Sequence, residues 1–124
     1  MKAYRLSRAA EADIEQILRE TKNKFGTQQK NIYRDIIKRA LDMIGLEPDR
    51  LGSWDRSNVA PGVRAFHLEL ASGRLGSASH CVYYDAAILP DDRRCVNVFR
   101  ILHESMEPKL HIVHTSEYRP ATKP

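Results

Sequence analysis

Four side chains in the second half of the chain have the types that metal-free RNA cleavage through a 2′-hydroxyl would use: Arg64, Tyr84, Arg100 and His103. An arginine fork stabilises phosphate charge, and a histidine or tyrosine can move protons. Arg64 stands near the start of an alternating stretch, VRAFHLEL, and Arg100 lies between Phe99 and Ile101 in the most apolar run of the chain. A charge placed there must reach a partner or the outer face of its strand, because an unpaired buried charge is costly. The same arginine therefore has a structural reading, as a bridge from a sheet to a carboxylate such as Glu104 or Glu107.

Other chemistries find less support. The five histidines, His67, His80, His103, His111 and His114, form no HExxH or HxH pattern. They are expected to be hydrogen-bonded or exposed rather than metal ligands, so neither a metal nor a cofactor is expected. Gly73 and Gly76 lack the Lys-Ser/Thr and helix of a phosphate loop, and no GxSxG elbow occurs. Asp91 and Asp92 follow Pro90 and read as a turn. Cys81 and Cys95 form no CxxC and lie in apolar stretches, as buried reduced thiols do.

These residues need a scaffold, and 124 residues supply about one domain. With 42% hydrophobic and 29% charged residues the composition is that of a globular protein, which excludes disorder and coiled-coil arrays. No apolar run approaches the ~20 residues of a membrane span. The N-terminus turns charged at once, without the apolar core of a signal peptide, so a cytoplasmic location is expected. Twenty Lys and Arg against sixteen Asp and Glu leave a net charge of +4, spread over both halves. That balance suits an acidic partner and lacks the dense basic stripe of a dedicated nucleic-acid binder. No direct sequence-specific nucleic-acid binding is expected.

Periodicity then orders the elements. A short alternating stretch, 3–6, reads as a strand. Ser7 is a helix N-cap, and Ala10, Ile14, Ile17, Leu18, Thr21 and Phe25 mark one face of a helix from Arg8 to Phe25 that Gly26 ends. Thr27 is placed to cap a second helix carrying Tyr33, Ile36, Ile37, Ala40, Leu41 and Ile44, which Gly45 and Pro48 stop. So short a joint makes an antiparallel helix hairpin. Residues 46–62 read as a connector rich in turn formers, pinned by Trp54. After Gly62 the period becomes two: strands at 63–70, 80–86 and 95–103, a Gly/Ser loop at 71–79 and a turn at 87–94. The third of these strands is apolar on both faces, as in an inner sheet position. Glu104–Ile112 has room for one helical turn, and 115–124 forms a polar tail to a single domain of residues 1–114. The expected fold is α+β: an N-terminal strand, an antiparallel helix hairpin and a three-stranded antiparallel meander, with the hairpin on one sheet face.

The ordered segments YRLSRAAEADIEQI, FGTQQKNIYRDII, PGVRAFHL, HCVYYD and VFRILHESME resemble the ParE branch of the RelE/ParE toxin family of type II toxin–antitoxin modules, over about Ala3 to His111. The resemblance implies a growth-inhibiting toxin neutralised by a cognate antitoxin, of ribbon-helix-helix type, whose C-terminal segment wraps it. It further implies DNA gyrase as target, poisoned by binding, with no catalytic residue and with contacts from Arg100, His103, Met106, Lys109 and His111. RelE-like relatives instead cut mRNA on the ribosome, and for that alternative Arg64, Tyr84, Arg100 and His103 are the catalytic candidates. A relative that only binds its antitoxin is a third reading. The 71–79 and 87–94 connections are longer than the family's compact pattern, and loops carry specificity.

Overall fold

Ser7 ties the first helix to the sheet. Its backbone is extended, its Oγ accepts the Ala10 N–H at 2.9 Å, and the same hydroxyl donates to the Phe99 carbonyl at 2.8 Å. The structure, a computed structural model, describes residues 3–74, 76–88, 90–91 and 94–112. His114 and the 115–124 tail lie outside the described residues, as do Leu75, Leu89, Asp92 and Arg93.

Strand β1 (Tyr4–Leu6) leads through Ser7 into helix α1 (Arg8–Phe25), which ends at Gly26 with φ +95°. Helix α2 (Thr27–Leu46) starts one residue later. Thr27 was expected to cap it. Instead Gly26 serves both helices: its N–H donates to the Lys22 carbonyl and its carbonyl accepts the Lys30 N–H, which places Thr27 inside the helix. A positive φ lets one glycine end one helix and begin the next. Gly45 lies inside the last turn of α2, where a Cβ would stand 3.1 Å from that of Ala3, so this glycine admits the chain that leads into β1.

The sheet departs from the expected topology. It has five strands in the order β1-β5-β4-β3-β2, and it is mixed: β1 pairs parallel with β5, while every other pairing is antiparallel. The extra strand, β2 (Trp54–Asp55), lies within the connector and pairs with β3 (Arg64–His67). Two residues are too few to show a period, so turn formers dominated that reading. Trp54 keeps 38% of its surface exposed on this edge strand. The stretch expected as a strand over 63–70 stops at His67, whose Nδ1 accepts the Glu69 N–H and turns the chain into a short helix, α3 (Glu69–Ser72). Strands β4 (His80–Ile88) and β5 (Arg94–His103) are longer than expected, for Ala87 and Ile88 pair with Cys95 and Arg94. The chain from β1 to β5 runs through the hairpin and the other strands, a connection long enough for the parallel pairing.

Each sheet face has its own core. Tyr4, Phe66, Val82, Tyr84, Val96, Val98 and Ile101 pack under the hairpin against Ile36, Ile37, Leu41 and Ile44. On the other face Val63, Ala65, Cys81, Tyr83, Phe99 and Leu102 are covered by Val59, Ala60 and Ile112. Strand β5 is the inner strand that its apolar sequence implied, and both cysteines are buried free thiols. A single 3₁₀ turn, Pro108–Leu110, occupies the region expected to hold one helical turn.

Candidate functional site

The end of β5 is built around Arg100. An irregularity between Tyr83 and Tyr84 sets Tyr83 opposite Arg100 and Tyr84 opposite Val98, leaving Phe99 as the extra residue. Such a bulge breaks the ladder and redirects a side chain. Arg100 reaches Asp13 of α1 with both arms of its fork, Nε to Oδ2 at 2.7 Å and Nη2 to Oδ1 at 2.8 Å. The Ile101 N–H also donates to Asp13 Oδ2, at 2.9 Å. The bridging carboxylate is therefore Asp13, where Glu104 or Glu107 was expected, because the helix hairpin brings a residue 87 positions away against the bulge.

Arg100 has a third contact: Nη1 donates to the His111 carbonyl at 3.3 Å. Together with buried Pro108 and Ile112 this fixes the chain beyond β5 against the body. Between those anchors Met106, Lys109 and Leu110 are exposed, Leu110 at 75%. Of the expected target contacts, Arg100, His103, Met106 and His111 line one open cleft of about 410 Å³ with Asp13, Ile17 and Glu20 of α1, and Lys109 lies outside it.

The four alternative nuclease residues fall into two groups. Arg64 stands opposite Tyr84 in the β3–β4 register, far along the strands from His103, which pairs with His80. Arg64 donates to Ser53 Oγ at 2.8 Å through Nη2. Tyr84 is fully buried, its hydroxyl donates to the Pro48 carbonyl, and burial raises its pKa. Both side chains secure the connector to the sheet.

A cluster absent from the sequence reading lies at the opposite end of the strands. His67 closes β3, His80 opens β4 and His103 closes β5, so an antiparallel meander sets all three at one sheet end. The available signal was His80 and His103 at opposed strand ends; His67 fell inside the expected 63–70 strand, and Tyr33 joins them only through the packing of α2. The Tyr33 hydroxyl accepts the Ser79 N–H at 3.1 Å and shares a hydrogen bond with His80 Nδ1 at 2.7 Å. The His80 ring sits edge-on to His103, centroids 5.4 Å apart. Burial first, and then the neighbouring His103, lower the His80 pKa to about 4, which leaves its imidazole neutral at pH 7. His67 Nδ1 is an acceptor, so Nε2 carries the proton it donates to Glu104 at 2.7 Å, and this bond lowers the Glu104 pKa. A second open cleft of about 520 Å³ shares His80, His103, Ile17 and Glu20 with the first and continues to Lys24, Phe25 and Tyr33. Among the described residues no three His, Cys, Asp or Glu side chains are placed to hold a metal ion, and no helix is long and apolar enough to cross a membrane.

An exposed, rigidly tethered segment beside a long cleft suits binding to other macromolecules. Residues 4–108 match the family described as ParE toxin of type II toxin-antitoxin system, parDE. Toxin ParE1 of Caulobacter vibrioides is 31% identical over 112 residues, which cover 90% of this chain and 99% of that protein. The family match spans every strand and both long helices described above, and the chain belongs to the ParE toxin family of type II toxin–antitoxin systems.

Proposed function

We propose that this protein inhibits DNA gyrase by binding the enzyme and trapping its cleaved-DNA complex, without bond chemistry of its own, in the cytoplasm. A cognate antitoxin of ribbon-helix-helix type holds it inactive by wrapping the toxin with its C-terminal segment. The observation that carries this reading is the tether from Arg100 to the His111 carbonyl, which fixes a surface of exposed Met106, Lys109 and Leu110 beside the α1 cleft. A preformed apolar and basic surface loses little conformational freedom on docking. Arg100, His103, Met106, Lys109 and His111 are the proposed target contacts, with Arg100 acting largely through its hold on the segment. Three of the four side chains a nuclease would use are meanwhile occupied, Arg64 on Ser53, Tyr84 on Pro48 and Arg100 on Asp13, while His103 lines the cleft with its Nδ1 on Ser105.

The test uses antitoxin-free protein with gyrase, ATP and supercoiled plasmid. Linear DNA released by detergent and protease is the expected product. Its absence with folded protein, together with cleavage of mRNA on programmed ribosomes, would overturn the gyrase reading in favour of an endoribonuclease.

A further inference from the structure

The chain leaves β5 through a β-turn over residues 103–106, in which the Met106 N–H donates to the His103 carbonyl at 2.9 Å. The His103 ring supports the same turn, its Nδ1 accepting the Ser105 N–H at 3.1 Å. Both bonds lie within the turn and do not decide where it sits on the body. Two bonds from Glu104 do. Its backbone N–H donates to the Ser79 carbonyl at 2.8 Å, and the Ser79 N–H is held in turn by the Tyr33 hydroxyl of α2. Its carboxylate accepts the His67 Nε2 proton at 2.7 Å. His67 ends β3 and Glu104 follows β5, with β4 between those strands. In register His67 faces Cys81 and Cys81 faces Leu102, so the Glu104 side chain crosses the end of β4, while the outer strands stand roughly 10 Å apart at the usual spacing. The His67 side chain is only 15% exposed, and its Nδ1 is taken by the Glu69 N–H. One ring is therefore fixed at both nitrogens and offers Glu104 a rigid anchor.

We propose that His67 is a positioning residue for target binding: through its bond to Glu104 it sets the turn that presents Met106 to the target. The inference rests on the gyrase reading above. Met106 is 45% exposed and stands two residues beyond Glu104, so the direction of its side chain depends on where that turn is held. A hydrogen-bonded pair with one exposed partner adds little to global stability. Its effect on docking is larger in proportion, because a turn already ordered in the free toxin loses less freedom when the target closes on it. Arg100 performs the same service at the far end of the segment, through the His111 carbonyl. Met106, Lys109 and Leu110 thus lie between two anchors, one on β5 and one on β3.

The test titrates antitoxin-free protein against gyrase and plasmid and reads the concentration that gives half-maximal linear DNA. His67→Asn keeps an acceptor for the Glu69 N–H but cannot reach Glu104; Glu104→Ala removes the other end of the bond. Each should raise that concentration about fivefold, with little change in melting temperature. The double variant should be no worse than either single one, and Glu104→Gln, which keeps the acceptor, should recover most of the loss. In a Met106→Ala background both substitutions should be silent, which a general loss of stability would not produce. Amide exchange at Ser105 and Met106 should quicken in both variants. Wild-type behaviour of His67→Asn would overturn the proposal. A loss confined to Glu104→Ala would overturn it too, by making Glu104 a direct contact, and so would additive losses in the double variant. If His67→Asn did not fold, a Glu104→Ala loss that Glu104→Gln failed to restore would have the same force. Wild-type protein that gave no linear DNA would instead overturn the gyrase reading beneath it.

Discussion

Arg100 and Asp13 form a two-armed ion pair across 87 residues of sequence, with side chains only 19% and 12% exposed. One carboxylate thereby answers the guanidinium and also the backbone N–H of Ile101 at the β5 bulge. The third arm of Arg100 holds the segment that carries the proposed target contacts.

Removing one member of a partly buried pair strands the other. Asp13→Ala is expected to cost about 3–5 kcal/mol, because it leaves a desolvated guanidinium and an orphaned N–H. Urea unfolding of the free protein measures it. The double variant Asp13→Leu, Arg100→Met should lose much less, since no charge is left buried. A single variant as stable as wild type would mean that the pair is not closed in solution.

The surface segment should separate stability from activity. Met106→Asp and Lys109→Glu change exposed side chains, so unfolding free energy should move by no more than about 0.5 kcal/mol. Gyrase-dependent linear DNA should fall at least about tenfold, the range of a lost interface contact. Undiminished linear product from both variants would place the gyrase contacts elsewhere.

Tyr84→Phe discriminates between architecture and chemistry. It deletes the hydroxyl that donates to the Pro48 carbonyl and should cost roughly 1 kcal/mol of stability. Toxicity should survive it. A loss of several orders of magnitude in growth inhibition at unchanged stability would instead make Tyr84 a proton-transfer group.

Acid should weaken the fold through His80. Its pKa falls from 6.5 to about 4 in the folded chain, chiefly through burial. Between those values the unfolded chain binds a proton that the native chain refuses, so stability falls as pH drops from about 6.5 to 4. Glu104 acts in the same direction at lower pH, since its lowered pKa stabilises the folded form above the unfolded value and that contribution is lost as the carboxylate protonates. Melting temperature against pH reads both. His80→Asn should flatten the upper part of the profile, and an unchanged slope would show that His80 is not the group responsible.

Much of the scaffold was legible from periodicity because one-sided burial writes itself into a sequence. The α1 boundaries, its Ser7 cap, the Gly26 stop and the inner position of β5 all follow from which residues are apolar and at what spacing. The ParE-like order of motifs was legible too, as a resemblance that the family match upholds. Strand β2 was not, since two residues carry no period. The parallel pairing of β1 was not, since no local pattern records which strand lies beside it. The same limit governs the site. Arg100 announced that it needed a partner, but Asp13 became that partner only when the hairpin folded onto the bulge. His80 and His103 stood at strand ends in the sequence, but His67 fell inside the strand expected over 63–70 and became terminal only because β3 stops there, and Tyr33 reached them only through α2. Sequence determines which side chains must be buried or paired, because hydrophobicity and charge are local properties. The choice of partner belongs to the tertiary structure, because it is a distance between residues that the chain itself keeps far apart.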